Sequence, residues 1–374
     1  MNTPFLSALR PLHLAPVLPV LLWASSMACG RAAPSIGTAI SPSIGRGIPR
    51  SLEYRSTTSG LPSDLILDIA IDPADRVWIA TMAGLTVFDG TSWTPSTQLS
   101  PLAASSATFA IGFDRKGRAW VGGRNGIAVF DCLTVTQCDY QQWTITGSPV
   151  LAIAFDNQDR TWVGTNEGLA VLEGNTWVSV QLPKLSAGPY GTPEYKPARV
   201  TALALDTSGM LWVGLDFPYG GLTVINPITL TTTSPSELPL YHVNVYSIRI
   251  DQLGRPLIGT PKGLYVLTTK PSPSKDLVAN LIGDLNVLAI AFDREGRIWV
   301  TTRYGGISIY DGSAWTTLIP GPSPAESSEA VWYDYFPLAF DTQGGAWAGA
   351  AEFPSYGLPY GTGLVSFPVY PFSP

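Results

Sequence analysis

Histidine is nearly absent from this chain of 374 residues: there are two, and because His13 lies in an apolar leader, His242 stands alone in the body. Histidine-rich metal sites are thereby excluded, since they need several imidazoles with thiolate or carboxylate partners close by. Cysteine is scarce, with three in all, and charged residues make up only 13% against 45% hydrophobic. Such a chain is neither disordered nor fibrous and can bury a large core. Basic residues are the minority, 22 Lys and Arg against 28 Asp and Glu for a net of −6; without the leader, whose only charge is Arg10, the balance is near −7. That sign argues against a nucleic-acid footprint. Nucleophile-elbow, P-loop and zinc-protease signatures are missing as well.

What is present begins with a leader. Residues 1–28 carry Arg10, then an apolar run from Leu12 to Trp23, then small residues before a cysteine, which is the layout of a secretory signal. The run is short and interrupted by Pro16 and Pro19, a poor match to a membrane-spanning helix. The junction Ser26-Met27-Ala28-Cys29-Gly30 resembles the lipobox of bacterial lipoproteins, which would make Cys29 the lipid-bearing first residue and the only membrane attachment. Ser26 departs from the aliphatic residue usual there, so plain secretion with cleavage near Ala28 stands as the other reading. Residues 29–50, rich in Gly, Ser, Pro and Ala, form an expected flexible tether, and 51–374 the folded domain. Cys132 and Cys138 lie six apart in one expected hairpin, where an oxidising compartment favours a disulfide over two exposed thiols.

The body of the chain is one line written seven times. An Asp opens a tight turn at Asp72, Asp114, Asp156, Asp206, Asp251, Asp293 and Asp341, and six positions later stand Trp78, Trp120, Trp162, Trp212, Leu257, Trp299 and Trp347. The anchors are 42, 42, 50, 45, 42 and 48 residues apart, the span of one four-stranded propeller blade. Apolar alternation with Gly or Asp-Gly at the turns supports strands throughout. The expected fold is therefore all-β: a seven-bladed propeller of four-stranded antiparallel blades. Ser51 to Ser63 looks like the end of a repeat whose beginning is missing, so the strand around Leu52 to Thr57 is expected to complete the last blade beside Gly363 to Val369, closing the ring; the other reading is that Val369 to Phe372 supplies that strand.

Each inner strand has one bulky and one bare face. One and three places before the Asp stand residues such as Ile153 and Phe155; two places before stand Ala70, Gly112, Ala154, Ala204, Arg249, Ala291 and Ala339. Adjacent blades converge near the axis, so bulky must meet bare. Arg249 breaks the pattern, and Asp68 replaces a small residue four before its own Asp. A charge in either place needs water or a partner.

The line D-x-x-G-R-x-W-V-G-T-x-x-G-L resembles the two-component regulator propeller repeat, found in the periplasmic sensor regions of some hybrid histidine kinases and in related lipoproteins. The resemblance covers about residues 50 to 370 and implies the propeller, together with recognition of extracellular ligands, glycans among them. With no kinase or output domain before Pro374, what carries over is binding of a ligand or partner. A stand-alone secreted protein or lipoprotein is the expectation.

Long stretches gather on one face: Leu215 to Gly221 and Ala351 to Gly363 between second and third strands, and Gln181 to Arg199, Thr231 to Asn244 and Pro320 to Phe336 between blades. Loops of this kind carry binding residues on a rigid scaffold. Their aromatic and polar residues suit sugars, peptides or a protein surface. The candidate ligand-binding set is Tyr195, Arg199, Tyr219, His242, Arg249, Arg303, Tyr335, Glu352 and Tyr360. The expected function is non-catalytic extracytoplasmic binding of a small molecule, glycan or envelope protein by a monomer in the bacterial envelope, with no cofactor, metal or nucleic acid. The alternative is a propeller lyase or hydrolase using His242 with loop carboxylates such as Asp216, Asp334 and Glu352.

Overall fold

A computed structural model describes residues 52–95, 106–124, 126–134, 137–143, 145, 148–183, 198–216, 220–233, 240, 243–267, 277–278, 286–303, 306–320, 332–353 and 360–367. The leader, the tether, Cys29, Tyr195, Tyr219 and His242 lie outside the described residues. Within them the strands form seven separate antiparallel sheets of four. Blades 1 to 6 span residues 66–95, 108–143, 150–180, 200–233, 247–278 and 287–320. Blade 7 takes three strands from residues 332–367 and its outermost strand, Leu52–Tyr54, from the N-terminal side, paired Leu52 to Ser366 and Tyr54 to Leu364. Inner strands contact their neighbours all the way round, the last against the first, so the ring is closed. This is the expected all-β propeller, with the expected strand closing it. No described helix is long and apolar enough to cross a membrane.

The repeated Asp and Trp are chemically joined. In blade 3, one Asp156 oxygen accepts the backbone N–H groups of Gln158 at 2.8 Å and Arg160 at 3.0 Å, which folds the turn. The other accepts Arg160 Nε at 2.7 Å and the Trp162 indole N–H at 2.9 Å. The same indole bond recurs from Trp78, Trp120, Trp212, Trp299 and Trp347. A buried indole needs an acceptor, and the Asp supplies it; in blades 1, 2, 3 and 6 an Arg four residues on offsets its charge. Three residues into the turn the chain takes the left-handed conformation, at Gly117 (φ 78°) for instance and even at Asp159 (φ 59°); Asp tolerates that region better than most residues.

The core is divided among the seams between blades. One seam packs Trp162, Leu169 and Val171 of blade 3 against Val200, Leu203 and Val213 of blade 4. Bulky meets bare as expected: a Cβ added to Gly112 would stand 3.1 Å from the Phe155 ring and 3.4 Å from Ile153. A second row of contacts lies on the second strands, where a Cβ on Gly164 would come within 2.5 Å of Val200 Cγ1 and 2.8 Å of its carbonyl oxygen. The tryptophans cross the same seams, Trp120 meeting Phe155 and Trp299 meeting Phe340 edge to face at 5.9 and 5.1 Å.

Two hairpins outgrow the repeat. In blade 2 the third and fourth strands, Gly126–Thr134 and Gln137–Trp143, extend as a ribbon on which Cys132 and Cys138 are register partners joined by a disulfide. In blade 7 the strands Trp332–Phe340, Ala346–Phe353 and Tyr360–Phe367 are nine, eight and eight residues long. Much of what the sequence suggests to be loop there is strand, because pairing continues past the usual end, Tyr333 opposite Glu352 and Glu352 opposite Tyr360.

Candidate functional site

Inner strands all begin on one face of the ring, and second strands end there. On that face blades 4, 5 and 6 assemble a polar cluster from residues just outside the repeat. Arg199 precedes the inner strand of blade 4 and Asp216 follows its second strand; the Asp216 N–H donates to the Arg199 carbonyl at 2.9 Å, and Arg199 Nη1 meets the Asp216 carboxylate at 3.2 Å. Asp216 is only 7% exposed. Blade 5 docks beside it, the Val245 N–H donating to Leu215 O at 3.0 Å and Thr201 Oγ1 to Val245 O at 2.7 Å. This brings Tyr246 near Asp216, whose charge, with the Asn244 amide and the charge of Arg303, acts on its phenol. Arg303 follows the second strand of blade 6, its N–H donating to Asn286 O at 2.8 Å.

The electrostatics follow from burial. Desolvation pulls the Arg199 guanidinium below its ordinary pKa, and Asp216 opposes that pull. Burial, then the negative charge of Asp216, pushes the Tyr246 phenol above its usual value, so it remains a neutral hydrogen-bonding group at neutral pH. Two guanidiniums, one carboxylate and one phenol therefore share a small area, a constellation able to orient a polar ligand.

The candidate set is thus divided. Arg199 and Arg303 belong to the cluster, whereas Arg249 is the third residue of an inner strand. Tyr335, Glu352 and Tyr360 belong to the extended strands of blade 7, which rise from the same face. Asn244 and Tyr246 are additions that sequence reasoning missed. The available signal was their place, three and one residues upstream of an inner strand, with Asn244 seven before its turn Asp as Arg199 is in the preceding blade.

Asp68 and Arg249 have different surroundings. The Asp68 carboxylate accepts the Ile69 N–H at 2.9 Å and, across the seam, the Ile111 N–H at 2.7 Å. Burial pushes its pKa up to about 6 despite those bonds and the charge of Arg249. Burial also lowers the Arg249 pKa, which Asp68 partly restores. Yet Arg249 is exposed and Asp68 only half-buried, so both are ringed by protein while still touching solvent. That is the situation of groups lining a wet axial channel.

The opposite face carries the turns and one shallow cleft of about 100 Å³ between blades 6 and 7, lined by Asp293, Arg297, Trp299, Phe340 and Phe367 among others. Asp293, Arg297 and Trp299 are already committed to one another there. Among the described residues, no group of three or more His, Cys, Asp or Glu could hold a metal ion.

Fold and site together define a closed seven-bladed propeller with an unrepeated polar cluster on one face. Residues 280–304, which include the inner and second strands of blade 6, match the two component regulator propeller family. No curated protein matches the sequence. Among solved structures, the extracellular domain of a hybrid two component system from B. thetaiotaomicron superposes with a TM-score of 0.62 at 18% identity, covering 85% of this chain and 41% of that one. The present chain thus spans less than half of that relative. Virginiamycin B lyase from Staphylococcus aureus, solved in an inactive form with quinupristin, gives 0.60 at 11% identity over 85% of this chain and 98% of its own. YCF48 from Cyanidioschyzon merolae gives 0.54 at 14% identity over 82% and 97%. These likenesses establish the fold alone.

Proposed function

We propose that this protein is an extracytoplasmic binding propeller that holds a ligand or partner on the face where its inner strands begin, without performing chemistry on it. The observation that carries the reading is the convergence of Arg199, Asp216, Tyr246 and Arg303 from three successive blades. The repeat does not require any of these side chains, and Tyr335, Glu352 and Tyr360 lie on the long strands of blade 7, the next blade round from Arg303. Secretion or lipid anchoring at Cys29 would place it in the envelope, and the extracellular regulator domain that shares the fold accords with that location.

The test is a binding screen of the purified protein against glycans and envelope proteins, followed by Arg303→Gln, Tyr246→Phe, Tyr335→Ala and Tyr360→Ala. Binding should fall about tenfold or more for at least the Arg303 change, because a charge-assisted hydrogen bond is worth about 1.5–3 kcal/mol. Affinity untouched by all four changes would remove the site. A turnover that disappears with His242→Ala or Glu352→Gln would instead make the protein an enzyme.

A further inference from the structure

The polar cluster on the face leaves Arg249 unused. Six of seven blades place Ala or Gly two residues before the turn Asp, at Ala70, Gly112, Ala154, Ala204, Ala291 and Ala339. One blade places an arginine there. Its guanidinium is exposed to solvent although it springs from an inner strand with neighbouring inner strands packed on both sides, so it reaches into axial water. Nη1 donates to Ile248 O of its own strand at 3.1 Å. A guanidinium has five N–H donors, and this bond engages one.

Asp68 does not consume the rest. Its two oxygens are anchored by the backbone N–H groups of Ile69 and Ile111, which pin the carboxylate to the seam between blades 1 and 2, and among the described residues no ion pair joins it to Arg249. The two charges feel each other without meeting. Four places before the turn Asp, the other blades offer Ala110, Ala152, Ala202, Ser247, Ala289 and Pro337, so Arg249 and Asp68 are the charged side chains at these two levels of the inner strands. A cation confined among packed inner strands is poorly screened, and a planar fork of N–H donors matches a carboxylate in shape and charge.

We propose that the axial channel is a second binding site, in which Arg249 receives the carboxylate of a small anion or of a ligand's acidic end. Asp68, fixed across the channel, limits its affinity. Malonate serves as the probe, titrated into the purified protein by calorimetry and by thermal midpoint, with sodium chloride at matched ionic strength and neutral malonamide as controls. Wild type should show saturable binding of malonate and none of malonamide. Arg249→Gln should weaken it tenfold or more, Arg249→Lys less. Asp68→Asn should tighten it by roughly tenfold, through removal of a nearby like charge, and Arg303→Gln should leave it unchanged. Near-UV circular dichroism establishes that Arg249→Gln is folded; should it not be, the Asp68→Asn and Arg249→Lys titrations decide. Absence of saturable malonate binding to wild type, its persistence in folded Arg249→Gln, or no tightening in Asp68→Asn would overturn the proposal, and loss through Arg303→Gln would move the site to the face.

Discussion

Removing one turn carboxylate should cost different amounts in different blades, and the difference measures the buried indole bond. Asp156→Ala takes away the acceptor for the Gln158 and Arg160 N–H groups, for Arg160 Nε and for Trp162 Nε1. Trp162 is fully buried, so its indole N–H has no water to turn to and costs about 1–3 kcal/mol unsatisfied. The turn N–H groups and Arg160 lie nearer the surface and recover solvent, adding about 1–2 kcal/mol together. The sum is about 2–5 kcal/mol. Blade 5 provides the control: Asp251 accepts the Leu253 and Arg255 N–H groups and Arg255 Nε in the same geometry, but Leu257 stands where the Trp would be. Asp251→Ala should therefore cost about 1–2 kcal/mol. Urea unfolding followed by tryptophan fluorescence measures both, and a double-mutant cycle with Trp162→Phe should return about 1–2 kcal/mol of coupling to Asp156. Equal losses in the two blades, or no coupling, would refute the claim that the Asp to Trp spacing exists to satisfy the indole.

Asp68 should govern the pH dependence of stability between about pH 4 and 6. Its folded pKa of about 6 lies above the ordinary 3.8, so the folded protein holds that proton more tightly than the unfolded chain does. The resulting stabilisation is complete below 3.8 and is lost as pH rises through about 6. The gap corresponds to at most about 3 kcal/mol, less because axial water reaches the carboxylate; Asp68→Asn should flatten the denaturation profile over this window. Asp114, Asp156 and Asp206 act with the opposite sign: burial alone would raise their pKa values, but hydrogen bonds from Trp and backbone more than compensate. Their contribution disappears only as pH falls below the ordinary carboxylate range, whatever residue 68 is. Gly164→Ala should destabilise by about 1–3 kcal/mol through collision with Val200, whereas Gly174, with nothing within 4 Å of an added Cβ but φ of 61°, should cost about 1 kcal/mol in the same exchange. Tyr54→Ala should cost about 3–5 kcal/mol, since Tyr54 packs on Trp347, Phe88 and Trp93 where the ring closes; unchanged thermal unfolding would mean that the N-terminal strand does not hold blades 7 and 1 together.

The repeat is readable because the same physical problem is solved seven times. Spacing from Asp to Trp, the Gly of the turn and the bare face at Gly112 all report contacts inside a blade or across one seam, and such contacts recur at fixed offsets. The closing strand is readable because a blade lacking its fourth strand leaves an open edge, but its register is not: Tyr54 resembles Trp315 in sequence, yet it pairs with Leu364 midway along the third strand, whereas Trp315 pairs with Tyr310 at the end of its own. The cluster on the face has no such redundancy. Asp216 and Arg199 are 17 residues apart, and Tyr246 and Arg303 come from later blades; only the closed ring makes them neighbours. The length of blade 7 eludes the sequence differently: Ala351 to Gly363 is rich in Gly and Pro, which signals turn, yet Glu352 and Tyr360 pair as strand because the hairpin below them fixes their register.

Symmetry also says where function can reside. A side chain present in every blade would make seven equivalent sites, so recognition of one ligand must come from residues that depart from the repeat. Departures concentrate in and beside blade 5, which has Leu257 for Trp, Arg249 for Ala, and Tyr246 with Asn244 at its upper end. Residues kept for binding are rarely best for stability, and the axial charges are a case to measure. Asp68→Asn with Arg249→Ala restores a neutral lining at once and leaves neither charge facing the channel without its counterpart. The double variant should be more stable than wild type at pH 7 by about 1–3 kcal/mol in urea, while losing the malonate response. A double variant less stable than wild type would show that the pair holds the ring together, and the departure in blade 5 would then be structural.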